Sequence, residues 1–354
     1  MFILDRYILQ QFFKVLLVGF VALASLYVII DAFTNLDEFQ IYAERQGRNI
    51  LAIVYDYYRI HSLSVFDKTY GMLALLAAMA TITWLQRSRE LTAILAGGIT
   101  KWRVVAPILA ATVVVSGLGM ANREWWMPAH RAQLTRNAQD WLGDTPRAFT
   151  PRYDHRTDIF FTGRAVVRSR QRIERPNFRL PTTLSEFGDK LVADSAVYYP
   201  PEGDRPAGFL LDKVERPENL ASRPSCSLDG EPVLLSPSDT DWLEPRQCFV
   251  VSQLTFEQIA TGDLWQRFSS TSELIHELGN PSYRVGAETR VIIHSRFLQP
   301  FLDVTLVMLG LPLVLRRENQ NLVPAITGGL AVVCGFSVLL ITCHGLGANY
   351  LLSP

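Results

Sequence analysis

Residues 8–30, ILQQFFKVLLVGFVALASLYVII, carry one charged side chain, Lys14, in 23 positions. A helix over that run rises about 1.5 Å per residue and reaches roughly 35 Å, enough to cross the hydrocarbon core of a bilayer. The run is too long for the apolar stretch of a signal peptide, and no Ala-x-Ala cleavage site follows it. It therefore reads as a retained spanning helix. Taking the first span as residues 8–33, four more of the same character lie at 63–85, 103–121, 297–315 and 322–344. Small residues in them, Gly117/Gly119 and Gly328/Gly329, let helices approach closely. On these boundaries Pro107, Pro300, Pro312 and Pro324 fall near helix ends, where a missing N–H is tolerated.

Basic residues in short loops favour the cytoplasmic side. Residues 86–103 hold Arg87, Arg89, Lys101 and Arg103 against one acid, Glu90; Arg316 and Arg317 face Glu318 in the last loop; Arg6 and Lys14 flank the start. All three place the N-terminus and both loops inside, and residues 34–60 and the middle of the chain outside. Over the whole chain 34 basic and 34 acidic residues cancel, without the basic excess of a nucleic-acid binder.

The charges crowd into residues 123–295. A polar helical stretch from Arg123 to Trp141 continues the third span. Short runs follow: DIFFTGRAVVRS, KLVADSAVYY, GFLLDKV, EPVLLS and QCFVVSQLTF. Turn-rich pieces such as PPEGDRPAG and ERPENLASRPS separate them. Many short strands without a βαβ rhythm predict an all-β domain of sandwich or jelly-roll type, and TSELIHELG reads as a short helix after them. The predicted fold is thus a membrane α-helical bundle with an inserted all-β, jelly-roll-like domain. Its parts are 1–122 (three helices), 123–295 (β-domain) and 296–354 (two helices).

Cys226 and Cys248 have a spacing compatible with a disulfide between neighbouring strands in an oxidising compartment, or they are two thiols. Cys334 and Cys343 lie in the last span. No CxxC occurs, His276-Glu277 does not extend to HExxH, and no cofactor or metal site is expected. No GxSxG offers a nucleophile. No GxxxxGK[ST] occurs, so ATP hydrolysis through a P-loop would have to come from another polypeptide.

The openings LDRYILQQFFKVLLVGF (4–20) and SRELTAILAGGITKWRVVAPIL (88–109) resemble the lipopolysaccharide-export permease family, LptF/LptG, also called YjgP/YjgQ. LVADSAVYY followed by GFLLDKV resembles a strand pair of its outer jelly-roll, and SRFLQPFLDVTLVMLGLPLVLRR (295–317) resembles its fourth helix. The resemblance spans the chain in order. It implies half of an ABC-type exporter in the bacterial inner membrane. Its partners would be a cytoplasmic ABC ATPase dimer, a second permease of the family, a periplasmic jelly-roll bridge protein and a membrane lipid cargo. In two respects the sequence departs from the pattern. The family has six spanning helices where five are read here. Lipopolysaccharide-binding members carry Lys at the outer end of the first helix, where this chain has VIIDAFTNLDEF with Asp31.

Within that resemblance the segment 87–101 is the expected ATPase-coupling element, with Arg87, Arg89, Glu90, Leu91, Ile94, Gly97 and Gly98 as its residues. Ser88 is placed to cap a short helix and Glu90 to complement its dipole. Leu91, Ile94 and Leu95 form an apolar stripe. Gly97-Gly98 end the helix and Thr100 caps the next. The stripe would enter a groove of the ATPase and Glu90 would pair with a basic residue there; the bland alternative is an interfacial helix lying on the bilayer. Asp67, Lys68 and Asp303 sit at membrane depth, where charge is costly unless paired or wet. They read as headgroup-cavity lining or as an Asp–Lys packing pair, and Asp31 as cavity lining or a solvated helix end. Phe160, Phe161, Tyr198 and Tyr199 are core, or line an acyl groove. Two rival classes remain: a membrane-anchored envelope scaffold without transport, and an enzyme acting on envelope lipids.

Overall fold

The computed structural model of the chain describes residues 2–141, 145–203, 205–283, 286–315, 322–349 and 351. The loop with Arg316, Arg317 and Glu318 lies outside the described residues. Contacts divide the chain into a unit of residues 1–130 and 286–354 and a unit of residues 131–285.

The first unit is helical. α1 (Phe2–Thr34) passes through a near-continuous turn at Asn35, whose side-chain amide donates to the Asp31 carbonyl at 2.8 Å, into α2 (Leu36–Gln46). Gly47, in the left-handed region at φ 60, closes α2 by donating to the carbonyls of Ala43 and Glu44, as helix ends commonly require. Asn49 opens α3 (Ile50–Arg87) by accepting from the Leu51 N–H at 3.0 Å, which satisfies an orphan donor of the first turn. A short α4 (Glu90–Ala96) leads to α5 (Lys101–Ala121), and α6 (Ala287–Leu315) and α7 (Leu322–Ala348) complete the unit. Five helical segments among the described residues are long and apolar enough to span a bilayer. The helix expected to start at 297 starts at Ala287, ten residues earlier. For that reason Pro300 lies inside α6 rather than near its end, and Pro107 lies inside α5. Neighbouring helices can absorb such breaks in a membrane bundle. The continuation of α5 is shorter than expected: a π-helical turn at Asn122–Trp126 and one more turn end at Ala129.

The bundle core joins Ile8 and Phe12 of α1, the Tyr70–Leu85 face of α3, Val104, Ile108, Ala111 and Val115 of α5, and Leu306, Val307 and Leu311 of α6. Of the glycine pairs, only one member each is used for close approach. A side chain on Gly119 would strike the Tyr70 ring and one on Gly329 the Met79 sulfur, whereas Gly117 has open space and Gly328 only ordinary contact. The windows of α1 and α7 are almost wholly unburied. Residues such as Leu17, Val18, Ile29 and Ile30 there are exposed, as lipid-facing surfaces are.

The second unit is built on one antiparallel sheet of eleven strands. They are β1 (Arg147–Ala148), β2 (Arg152–Asp154), β3 (Ile159–Phe161), β4 (Ala165–Val167), β5 (Arg172–Glu174), β6 (Asn177–Arg179), β7 (Lys190–Tyr199), β8 (Gly208–Arg216), β9 (Cys226–Leu228), β10 (Glu231–Leu235) and β11 (Cys248–Val251). The order runs β1-β4-β5-β7-β8-β11-β10-β9, and β6, β3 and β2 branch off β7. The branch arises because β5 and β6 pair with successive halves of the same edge of β7, parted by Arg175 at φ 45. Buried side chains from both ends of that path, Val166, Ile173, Phe209, Val233 and Cys226 among them, meet in a single cluster. Only a sheet curled on itself brings them together, in keeping with the jelly-roll expectation. Alternation sorts the aromatics: Phe161 is fully buried and Phe160 points outward. Tyr198 packs on the main core, whereas Tyr199 packs with Leu210 and Leu243 in a satellite cluster beneath Arg205.

Of the two alternatives for Cys226 and Cys248, a bridge or two thiols, the structure has the thiols, free and buried. Their strands are not neighbours: β10 pairs with β9 on one side and β11 on the other. Two strand spacings come to roughly 9 to 10 Å, beyond the about 7 Å between Cα atoms that a disulfide spans. Burial pushes the Cys248 thiol up to about 12, with the nearby Cys226 adding to the effect.

Candidate functional site

The segment between α3 and α5 is assembled by backbone and by the N-terminus. Ser88 does not cap α4; its hydroxyl donates back to the Trp84 carbonyl at 3.0 Å and closes α3. The break is made by Arg89 at φ 59, and Gly98 at φ 82 makes the exit. α4 is fixed on the bundle by its apolar stripe. Leu91 is buried in the bundle core, and Ile94 and Leu95 pack against it. The stripe expected to enter a partner's groove is therefore used internally. Glu90 is partly buried and accepts from the Tyr7 hydroxyl at 3.3 Å. Arg103, just past the segment, holds Asp5 at 2.6 Å. Two side chains of the first two turns of α1 thus clamp both flanks of α4. What the segment presents outward is Arg87, Arg89, Thr92, Ala93, Ala96, Gly97, Gly98 and Ile99, with Trp102 beside them, 62% exposed.

The acids at membrane depth are all engaged. Asp303 of α6 is 3% exposed. It accepts from Ser116 Oγ of α5 at 2.7 Å and from Gln299 Nε2 one turn back at 2.9 Å. The Tyr70 hydroxyl of α3 stands beside the same carboxylate. Gly71 makes room for it, since a Cβ there would come within 2.7 Å of Asp303 Oδ1. Asp303 joins three helices and does not line a headgroup cavity. Asp67 pairs with Arg123 at 2.9 Å, and the adjacent Lys68 is exposed. Asp31 accepts from the Tyr58 hydroxyl at 2.7 Å, which ties α1 to α3. These contacts bring Asp303 and Asp67 into one neighbourhood, around Tyr70 and Arg123. Asp31 and the α4 segment are separate features.

Sequence reasoning missed Asp5, Tyr7, Tyr70, Ser116, Arg123 and Gln299. Asp5 and Tyr7 belong to the LDRYI opening, so a polar pair just before an apolar run was the available signal. Ser116 and Gln299 gave none, because a lone Ser or Gln in a span is common glue between helices.

In the second unit Arg131 bridges Glu257 at 2.8 Å and Glu273 at 3.1 Å and lies over the Trp265 ring. Capping boxes at Thr255 and Ser270 start the helices Phe256–Thr261 and Thr271–Glu277 that carry these acids. No group of His, Cys, Asp or Glu among the described residues is arranged to hold a metal.

No curated protein matches the chain. The family described as lipopolysaccharide export system permease LptF/LptG matches residues 6–354. With five spanning-length helices interrupted by a curled antiparallel sheet, the chain belongs to the LptF/LptG family of lipopolysaccharide export permeases.

Proposed function

We propose that the chain is the non-catalytic membrane subunit of an ATP-driven exporter of lipopolysaccharide-type lipid in the bacterial inner membrane. It pairs with a second permease of the family, and a cytoplasmic ABC ATPase dimer drives the pair. Lipid drawn from the bilayer passes into the β-unit and on to a periplasmic jelly-roll bridge. The apolar interior of such sheets shields acyl chains from water.

The observation that carries this reading is the clamping of α4. Glu90 and Leu91 attach the segment to α1 and to the bundle core, while Arg87, Arg89, Gly97 and Gly98 face outward. A push on the exposed face reaches α1 through the Glu90–Tyr7 contact and the bundle core through Leu91. Arg89 supplies charge to the ATPase contact; Gly97 and Gly98 keep the approach free of side chains. Asp31 and Asp67 are held in place by Tyr58 and Arg123.

The test is a pull-down of the detergent-solubilised chain, wild type and Glu90→Arg, from its native membrane, with mass spectrometry of proteins and lipids. Recovery of an ABC ATPase with wild type and its loss from the variant supports the reading. Absence of an ATPase from both samples at good yield overturns it in favour of an envelope scaffold.

A further inference from the structure

Between α1 and α3 lies a groove of about 270 Å³, walled mostly by apolar surface and including Lys14, Val15, Val18, Thr83, Trp84 and Arg87. Val15 and Val18 follow Lys14 at helical spacing and form its α1 wall. Lys14 sits six residues inside the apolar run, about 9 Å along the helix from Ile8. An ammonium at that depth is costly unless it reaches a polar partner. Neither Lys14 nor Arg87 makes an ion pair or hydrogen bond with any described residue, although Arg103 at the same end of the bundle is paired with Asp5. The groove's threonines add no positive donor, since Thr81 and Thr83 each donate to their own helix, to the carbonyls of Ala77 and Met79. Among the described residues the groove therefore offers two unmatched cations above an apolar floor, with the half-exposed Trp84 at its side.

We propose that this groove holds one anionic glycerophospholipid of the inner leaflet. Its phosphate lies between Lys14 and Arg87, and one acyl chain runs along Val15, Val18 and Trp84. Charge complementarity selects an anion, and the apolar floor selects a lipid over a soluble ion. Depth in the first span and the basic 86–103 loop place the site on the cytoplasmic side. The inference rests on that orientation and not on which lipid is exported.

The test is native mass spectrometry of the full chain purified with equal amounts of phosphatidylglycerol and phosphatidylcholine. Wild type is expected to retain phosphatidylglycerol preferentially. Lys14→Gln and Arg87→Gln each lower that retention about fivefold, the equivalent of about 1 kcal/mol per cation, and leave phosphatidylcholine unchanged. Lys14→Arg restores it, which separates loss of charge from loss of fold. Equal retention of the two lipids by wild type overturns the proposal, as does unchanged retention in Lys14→Gln. Displacement of phosphatidylglycerol by equimolar lipid A overturns it in favour of a cargo site. Loss of the lipid preference with ATPase recovery intact removes the groove alone; loss of ATPase recovery from wild type removes the permease reading alone.

Discussion

Replacing Asp303 by Ala tests whether the bundle is held by this acid, 3% exposed. The substitution leaves the Ser116 hydroxyl and the Gln299 amide, which donate at 2.7 and 2.9 Å, without their acceptor. Hydrogen bonds between membrane helices contribute on average about 0.6 and at most about 1.7 kcal/mol each. Two of them set the expected loss at about 1 to 3 kcal/mol. Ser116→Ala alone should cost about 1 kcal/mol. The double variant should cost less than the sum by about the same amount, because the Ser116 bond is absent either way. Asp303→Asn should be milder than Asp303→Ala: the Gln299 amide can flip and the Ser116 hydroxyl can rotate to accept from the new amide. Unfolding of the full chain in bicelles, followed by tryptophan fluorescence under a denaturing detergent titration, measures all four. Additivity of Ser116→Ala and Asp303→Ala within about 0.5 kcal/mol would refute the argument, since it would mean the two side chains do not act on each other.

Gly119→Val places a side chain against the Tyr70 ring and should destabilise the bundle by about 1 to 3 kcal/mol through overpacking, read in the same titration. Tyr7→Phe frees Glu90 and should speed amide hydrogen exchange across residues 90–96 while leaving β7 and β8 unchanged. Arg131→Ala brings Glu257 and Glu273 together without their shared cation. It should lower stability of the β-unit by about 1 kcal/mol, as followed by circular dichroism. Cys248 titrates well above its ordinary value of 9.0. It should stay unmodified by a thiol reagent at pH 9 to 10, where an unperturbed thiol reacts, because the thiolate is the nucleophile. The same shift fixes a sign for stability: between about pH 9 and 12 the unfolded chain has lost this proton and the folded chain keeps it, so stability falls as pH rises through that window.

The helices were legible because bilayer length is a one-dimensional property: 23 nearly uncharged positions announce a span without any knowledge of its neighbours. The strands KLVADSAVYY and GFLLDKV were legible for a related reason, since their alternation and flanking turns are local. Partners were not. The acid at 67 was adjacent to Lys68 in sequence, yet on a helix consecutive residues point about 100° apart, and its ion pair is with Arg123 from the π-helical turn that follows α5. The α4 stripe was read correctly as apolar and wrongly as free, because periodicity reports that a face is buried but not against what. The cysteine spacing left bridge and thiols open for a similar reason: 22 positions separate Cys226 from Cys248, and nothing local reveals that β10 runs between them. At Ser88, two helices compete for one hydroxyl, and the carbonyls of the longer one take it.

The contact between Ser116 and Asp303 closes over 187 residues of chain. At about 5 to 20 residues per second, a ribosome needs roughly 10 to 40 s to deliver the acceptor after the donor has been made. For that interval the first three spans exist as a partial bundle whose inner face, Tyr70, Gly71 and Ser116 included, waits in lipid for α6. The β-unit has no such delay, since its sheet is drawn wholly from residues 147–251. Assembly of this protein thus has a built-in order: the sheet can finish while the bundle is still open, and the arrival of Asp303 is the event that shuts it.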